Sequence, residues 1–196
     1  WTRRALLKRG TFGAGLDTTL QKARDVIDQE CTAGVSTAAM DTAFASIGRP
    51  LRFVEEELDD LLDARGGSAF SVLALLFPDF GLTAEFHIDH VFPQRDFTIP
   101  KMRKLDLEPA ERQAILDRRD RVANLQFLTK TDNLEKAAKS PTAWLAGLSN
   151  SDRAARVGDA DLGDVPDSMV GFIEWYEARR ERMKTRLAEL LGITSW

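Results

Sequence analysis

The sequence feature that most constrains the fold is a pair of short β-like segments set among segments with helical periodicity. Glu85 to Phe92 (EFHIDHVF) contains β-branched and aromatic residues and ends at Pro93, which is typical of a strand. Asn124 to Thr129 (NLQFLT) is a second short run of this kind. Because the flanking segments favour helices, the sequence predicts a mostly α fold with a small β-hairpin.

Helical periodicity, together with Gly and Pro at helix ends, delimits the other elements. Helices are predicted over residues 18–30, 36–47, 51–64, 68–76, 109–121, 132–139 and 168–191. The helix over 68–76 is apolar nearly all round and is predicted to be buried, whereas the Gly-, Asp- and Ser-rich stretch 148–165 is predicted to be a loop. Three regions follow, all within one domain: a helical bracing region over 1–80, a strand–strand–helix core over 81–146, and a loop with a long helix over 147–196 that packs on the same domain.

Composition narrows the class of protein. A hydrophobic share of 43% in 196 residues is enough for a packed core. No apolar run approaches the ~20 residues needed to cross a bilayer, so no membrane association is expected. The single cysteine, Cys31, cannot form an intrachain disulfide, and the expected compartment is the cytoplasm. The net charge is −4, so attraction for nucleic acid has to come from local clusters of Lys and Arg.

Both histidines of the chain lie in one tetrapeptide, His87-Ile88-Asp89-His90. An isolated histidine on an apolar segment is ordinarily a core residue, and that interpretation is the alternative here. The pair flanks a carboxylate, however, and a carboxylate is a hard oxygen ligand for Mg²⁺ or Mn²⁺. An imidazole beside it is suited to general-base work near neutral pH. The tetrapeptide therefore favours a catalytic site.

Three motifs together resemble an HNH endonuclease: DHVFPQ over 89–94, NLQFLT over 124–129, and DNLEK over 132–136. In that family a β-hairpin and a helix, the ββα-metal motif, hold one divalent ion. The closest resemblance is to the C-terminal HNH domain of GmrSD-like and Ssp-type anti-phage restriction proteins, over residues 86–144. It implies a ββα-metal motif embedded in a helical domain.

The resemblance also implies roles for individual residues. Asp89 and Asn133 would hold Mg²⁺ or Mn²⁺, and His90 would deprotonate the attacking water. Asn124 would hold the loop so that the imidazole faces that water, and Lys136 would contact a phosphate oxygen. A cation beside the developing charge and an in-line nucleophile are what phosphodiester cleavage requires, and an all-oxygen site favours Mg²⁺ or Mn²⁺ over zinc.

The pattern departs from commoner HNH sequences in two ways. The last metal position is Asn133 rather than His, and the Cys pairs that hold structural zinc in many HNH proteins are missing, so helices must brace the hairpin. The role of His87 stays open. In a strand it shares a face with Asp89, so it is a further metal ligand, a phosphate contact or a packing residue.

Two groups of basic residues are candidates for nucleic-acid contact. Lys101, Arg103 and Lys104 follow the first strand, and Lys130, Lys136 and Lys139 lie in or near the short helix. They form either a phosphate track or ordinary solvated loop charge. The basic residues of the last helix alternate with glutamates and indicate an exposed helix surface: Arg179, Arg180, Arg182, Lys184 and Arg186. Trp144 and Trp175 are predicted to be core residues rather than platforms for base stacking.

These observations together predict a Mg²⁺- or Mn²⁺-dependent DNA endonuclease or nickase. We expect it to be the effector part of a bacterial anti-phage restriction protein. Its expected partners are the phosphate backbone of DNA, read with little sequence preference, and an N-terminal ParB-like nucleotidase part outside this sequence. The alternatives are a non-catalytic helical interaction or nucleic-acid-binding module with a decayed HNH site, and an RNase with the same site.

Overall fold

Helices make up most of the chain in the computed structural model, which describes residues 1–30, 34–81 and 85–193. Cys31 lies outside these ranges. In chain order the α-helices of the described ranges are α1 Thr2–Leu7, α2 Leu16–Glu30, α3 Thr37–Ser46, α4 Glu55–Leu62, α5 Gly67–Leu76, α6 Ile99–Met102, α7 Pro109–Arg118, α8 Lys130–Lys136, α9 Pro141–Ala146, α10 Asn150–Asp159 and α11 Phe172–Leu191. Strands β1 (Phe86–His90) and β2 (Leu125–Thr129) form one antiparallel pair. The coarser part of the prediction is confirmed: the fold is mostly helical with a small two-stranded antiparallel sheet, although α6 and α7 lie in the connection between the strands.

The prediction of a loop over 148–165 is wrong, because α10 occupies most of it. Ser149 caps this helix, since its hydroxyl accepts a hydrogen bond from the backbone N–H of Asp152 at 3.1 Å. Ser at the N-cap satisfies a helix N–H that would otherwise lack a partner. The Ser and Asp residues taken as signs of a loop are therefore the signals that begin a helix. The short helices α1, α6 and α9 were not predicted either.

Helix α8 follows β2 directly and begins two residues earlier than predicted. The N-cap is Thr129, whose hydroxyl accepts from the backbone N–H of Asp132 at 3.2 Å. Asp132, the first residue of the predicted helix, lies in the first turn of α8 and pairs with Arg156. The chain thus runs from β1 through a long connection to β2 and then straight into a helix.

The register of the two strands decides which side chains share a face. The residue pairs across the ladder are Phe86–Thr129, His87–Leu128, Ile88–Phe127, Asp89–Gln126 and His90–Leu125. Because successive side chains of a strand point to opposite faces, His90 lies on the face that carries Ile88 and Phe127. Asp89 lies on the other face, with Gln126.

The His90 face of the sheet packs on aromatic rings. Phe70 of α5 stacks on Phe86 with ring centroids 5.9 Å apart, and Phe80 stacks on Phe127 at 5.1 Å. Such contacts add to the apolar area that the rings bury. The prediction that 68–76 is a buried helix is confirmed, since α5 buries five of its side chains: Ala69, Val72, Leu73, Leu75 and Leu76. Trp144 and Trp175 are also buried, as predicted.

The chain contains two compact units. One comprises the described residues of Trp1–Leu58 and Ala188–Trp196, with a core formed by Ala5, Ala23, Val26, Met40, Phe44 and Leu51. The other is Asp59–Leu187, which contains both strands and every candidate site residue. Within the described ranges, no helix combines the length and the apolar character required to cross a membrane.

Candidate active site

His90 is the last residue of β1 and is held by a carboxylate from the other end of the long connection. Its Nε2 lies 2.9 Å from Oδ1 of Asp120, which also accepts a hydrogen bond from the Gln94 amide at 3.2 Å. Oδ2 of Asp120 accepts two hydrogen bonds from the Arg119 guanidinium, at 2.9 and 2.6 Å. Both oxygens of this carboxylate are therefore engaged.

The protonation of this pair follows from the charge on Asp120. The pKa of Asp120 is lowered to about 2, chiefly by the hydrogen bonds from Arg119 and with smaller contributions from His90 and Gln94, against the opposing effect of burial. Asp120 is therefore ionised at neutral pH and can only accept hydrogen bonds. Nε2 of a neutral His90 must then carry the ring proton. The lone pair is on Nδ1, which makes Nδ1 the atom able to take a proton from a nucleophile.

A cavity of about 440 Å³ opens beside the His90 ring. Its polar lining comes from Arg65, Gln94 and Asp120 as well as His90, and its apolar lining comes from Ile88 and Leu125. Asp89, on the other face of β1, does not line it. A cavity with a few converging polar groups on an apolar wall is the usual form of a small-ligand site.

Asn124 is fully buried and fastens the chain that follows His90. Its Oδ1 accepts from the backbone N–H of Phe92 at 3.0 Å, and its Nδ2 donates to the carbonyls of Phe92 at 3.3 Å and Arg119 at 2.7 Å. A buried carboxamide with these partners fixes two stretches of backbone, the segment after His90 and the residue before Asp120. The side chain lies just before β2 rather than within it.

Lys136 is placed differently from the expected phosphate contact. Its side chain is fully buried, and its ammonium donates to Oδ2 of Asp89 and to the backbone carbonyl of His90, each at 2.7 Å. An ammonium has three protons and is strongly attracted to a carboxylate in a buried setting. In this arrangement Lys136 ties α8 to the end of β1 and faces Asp89 instead of solvent.

Carboxylate and carboxamide oxygens are the kind of ligand that a hard divalent cation takes, but the Lys136 ammonium already pairs with the Asp89 carboxylate. In the described part of the chain, both polar contacts of the Asp89 carboxylate, from Lys136 and from Gln126 at 3.4 Å, go to Oδ2. Oδ1 is thus the oxygen that Mg²⁺ or Mn²⁺ would take, and half-buried Asn133 stands on α8 one turn before Lys136. No three His, Cys, Asp or Glu side chains of the described ranges converge as a metal site, so such a site would rest on one carboxylate and one carboxamide.

The remaining candidate residues lie at the surface or on the strand. His87 is half-buried and pairs across the sheet with Leu128. Lys101 forms an ion pair with Asp96 at 2.6 Å, and Lys130 forms one with Glu85 at 3.0 Å. Surface pairs of this kind are weak and do not prevent an exchange for phosphate. The other three candidates are exposed: Arg103, Lys104 and Lys139.

The expectation of an exposed helix surface is wrong for Arg179 and also for Lys184, which is buried and pairs with Asp59 at 3.1 Å. Arg179 is fully buried, and its guanidinium donates to the carbonyls of Ala123 and Leu125 at 2.8 and 3.0 Å. It also donates to the carbonyls of Ala160 and Asp161 at 2.8 and 3.1 Å. Burial lowers the pKa of Arg179 to about 9, so the group stays charged at neutral pH. Arg179 therefore fixes the backbone on both sides of Asn124.

Three residues of this region were not found from the sequence: Asp120, Arg65 and Arg179. Asp120 stands in the run Arg118-Arg119-Asp120-Arg121, which resembles ordinary helix charge, and Arg65 precedes the Gly66-Gly67 pair that ends a helix. An acidic residue shortly before the Asn124 motif was the one available signal, since a histidine base needs an orienting partner.

The sequence matches no protein-family model, and no curated protein sequence matches it either.

Proposed function

We propose that this chain is a Mg²⁺- or Mn²⁺-dependent HNH endonuclease or nickase that hydrolyses DNA, with His90 as the general base. The observation that carries the proposal is the His90–Asp120 pair at the edge of an open cavity. An imidazole with one nitrogen held by an ionised carboxylate and the other directed away from it is prepared to accept a proton. The order β1, β2, α8 supports the ββα-metal interpretation.

Each residue of the site has a separate role in the proposed hydrolysis. His90 takes the proton of the attacking water at Nδ1, while Asp120 keeps the ring in the required tautomer. Asn124 and Arg179 hold the backbone that presents these two side chains. Asp89 and Asn133 would hold the cation, which when bound stabilises the negative charge that develops on the phosphate. Lys136 keeps Asp89 at the end of β1.

The parent protein would supply target choice and activation. The net charge of −4 makes the surface as a whole a poor attractant for a duplex, so contacts must be local and directed to phosphates. Phosphate contacts carry no sequence information. We therefore propose an effector domain of a bacterial anti-phage restriction protein, acting with a ParB-like nucleotidase part.

One observation favours a non-catalytic module with a decayed site. The Lys136 ammonium lies 2.7 Å from Asp89, and a resident positive charge opposes the binding of a second cation there. Isothermal titration with Mn²⁺ separates the two candidates. A catalytic site binds Mn²⁺ in the wild type and in His90→Ala, and loses it in Asp89→Ala and Asn133→Ala. A decayed site binds none.

Supercoiled plasmid and an RNA transcript, each incubated with the protein in Mg²⁺, Mn²⁺ or EDTA, test the activity. We expect metal-dependent nicking or linearisation of the plasmid. His90→Ala, purified in parallel, controls for contaminating nucleases and should cut about 10²–10⁴ times more slowly, as is typical on loss of a general base. Cleavage of RNA alone would assign the site to an RNase. Equal cutting by wild type and His90→Ala would remove His90 from the mechanism.

A further inference from the structure

We infer that the cavity beside His90 binds a phosphate group of the nucleic acid, with Arg65 as its cation. This inference rests on the proposed function, because it gives the substrate a position at the catalytic histidine. It assigns phosphate binding at His90 to a residue outside both basic clusters predicted from the sequence.

Arg65 is the cation of the cavity lining, and no carboxylate of the described residues forms an ion pair with it. The side chain is exposed, and within the described part of the chain its guanidinium makes one hydrogen bond, to the backbone carbonyl of Asp117 at 3.3 Å. A guanidinium has five N–H donors in a planar fork. Most of them therefore remain available to a ligand in the cavity, and this fork matches two oxygens of a phosphate.

The carboxylate of the cavity is already committed elsewhere. Asp120 accepts from Arg119 through Oδ2 and contacts His90 and Gln94 through Oδ1. Its charge is offset by Arg119, with which it forms an ion pair at 2.6 Å. The sum of Arg65, Arg119 and Asp120 is thus one positive charge while His90 is neutral. A phosphodiester, which has one negative charge, complements this sum.

The shape of the cavity also fits a phosphate with part of its sugar. The volume is about 440 Å³, and the apolar side chains of Ile88 and Leu125 form the wall next to the polar groups. Gln94 is a neutral donor and acceptor on the same lining. A phosphate held by Arg65 would therefore lie in the cavity that the His90 side chain helps to line.

The two histidines of the chain allow a direct measurement. Inorganic phosphate is titrated into the protein, and a short DNA duplex is titrated in a separate experiment. Both titrations contain EDTA, which prevents cleavage. Binding is followed by NMR through the Hε1 resonances of the two histidines. His87→Gln assigns them. We expect the His90 resonance to shift and saturate with both ligands. In Arg65→Ala, the dissociation constants should rise by about ten- to a hundred-fold, the usual effect of losing a charge-assisted hydrogen bond. Arg24→Ala, which removes an exposed arginine from α2, is the matched control and should bind as the wild type does.

Arg65→Lys keeps the charge but loses the planar fork, so its dissociation constants should lie between those of the wild type and Arg65→Ala. A His90 resonance that responds to neither ligand overturns the inference, as does an Arg65→Ala response equal to that of the wild type. Plasmid cleavage read in parallel separates this result from the proposed function. A phosphate response without cleavage supports the site and contradicts the nuclease. Cleavage at the wild-type rate by Arg65→Ala, with an unchanged phosphate response, contradicts the site and leaves the nuclease standing.

Discussion

Replacing Arg179 with Met tests how the helical scaffold supports the site. Met has a similar length and removes the guanidinium without opening a large cavity. The change deletes four hydrogen bonds, to the carbonyls of Ala123, Leu125, Ala160 and Asp161. These carbonyls belong to the start of β2 and to the segment between α10 and α11, so both segments lose the group that joins them to α11.

The magnitude follows from two opposing effects. Hydrogen bonds from a charged donor contribute about 1.5–3 kcal/mol each, and buried carbonyls left without partners add a further cost. Relief from burying a guanidinium offsets a large part of this loss. We expect a net loss of about 3–4 kcal/mol in the free energy of unfolding, near the upper end for single substitutions. For a chain of 196 residues this lowers the melting temperature by about 6–16 °C.

Urea denaturation and scanning calorimetry measure this loss. Arg186→Met is the matched control, because Arg186 lies on the same helix, is exposed, and lies over the Phe77 ring with its guanidinium 5.5 Å from the ring centroid. We expect the control to stay within about 0.5 kcal/mol of the wild type, as surface substitutions usually do. If Arg179→Met unfolds with the same free energy as Arg186→Met, the four hydrogen bonds do not hold the segments together and the reasoning fails.

Three further predictions concern the site. In Asp120→Asn the ring of His90 should lose its fixed tautomer, so ¹⁵N spectra should show a mixture of Nδ1–H and Nε2–H forms. The variant should remain folded and cut about 10²–10⁴ times more slowly. A single Nε2–H tautomer in the variant would contradict the role of Asp120. The carboxyl has a pKa of about 2 in the fold against an ordinary value of 3.8, so its stabilisation is complete above pH ~4 and is lost as the pH falls through about 2. The melting temperatures of wild type and Asp120→Asn should therefore converge across that window, and a constant difference would argue against it. Charge reversal at Lys101, Arg103 and Lys104 together should flatten the dependence of log DNA affinity on log salt by about 0.9 for each phosphate that the protein no longer neutralises, and an unchanged slope would exclude this cluster from the interface.

Much of the secondary structure could be predicted from the sequence, because it depends on the composition and periodicity of neighbouring residues. The run from Glu85 to Phe92 has the composition of a strand, and β1 occupies its centre. The all-round apolar character of 68–76 indicated a buried helix, and α5 is one. Where the prediction was wrong, over 148–165, the composition was interpreted as a loop although Ser149 is a helix cap. Asn124 forms hydrogen bonds with Phe92, and its expected role in turning the imidazole towards the attacking water stays a prediction.

The surroundings of the charged residues were decided only by the tertiary structure. A run of alternating Arg and Glu looks the same whether a given arginine faces solvent or lies beneath four carbonyls, so the burial of Arg179 has no local signal. Lys136 is similar, since its partner Asp89 is far away in sequence and meets it only through the packing of α8 on β1.

The sequence by itself determined that His90 follows a carboxylate on a short strand. That Asp89 and His90 use opposite faces of this strand follows from the pleat once the strand is paired. That Asp120, thirty positions away, is the carboxylate that orients His90 depends on how the long connection between the strands folds back. Residues far apart in the sequence form hydrogen bonds only after the tertiary fold has brought them together, and the local sequence pattern does not specify which residues these will be.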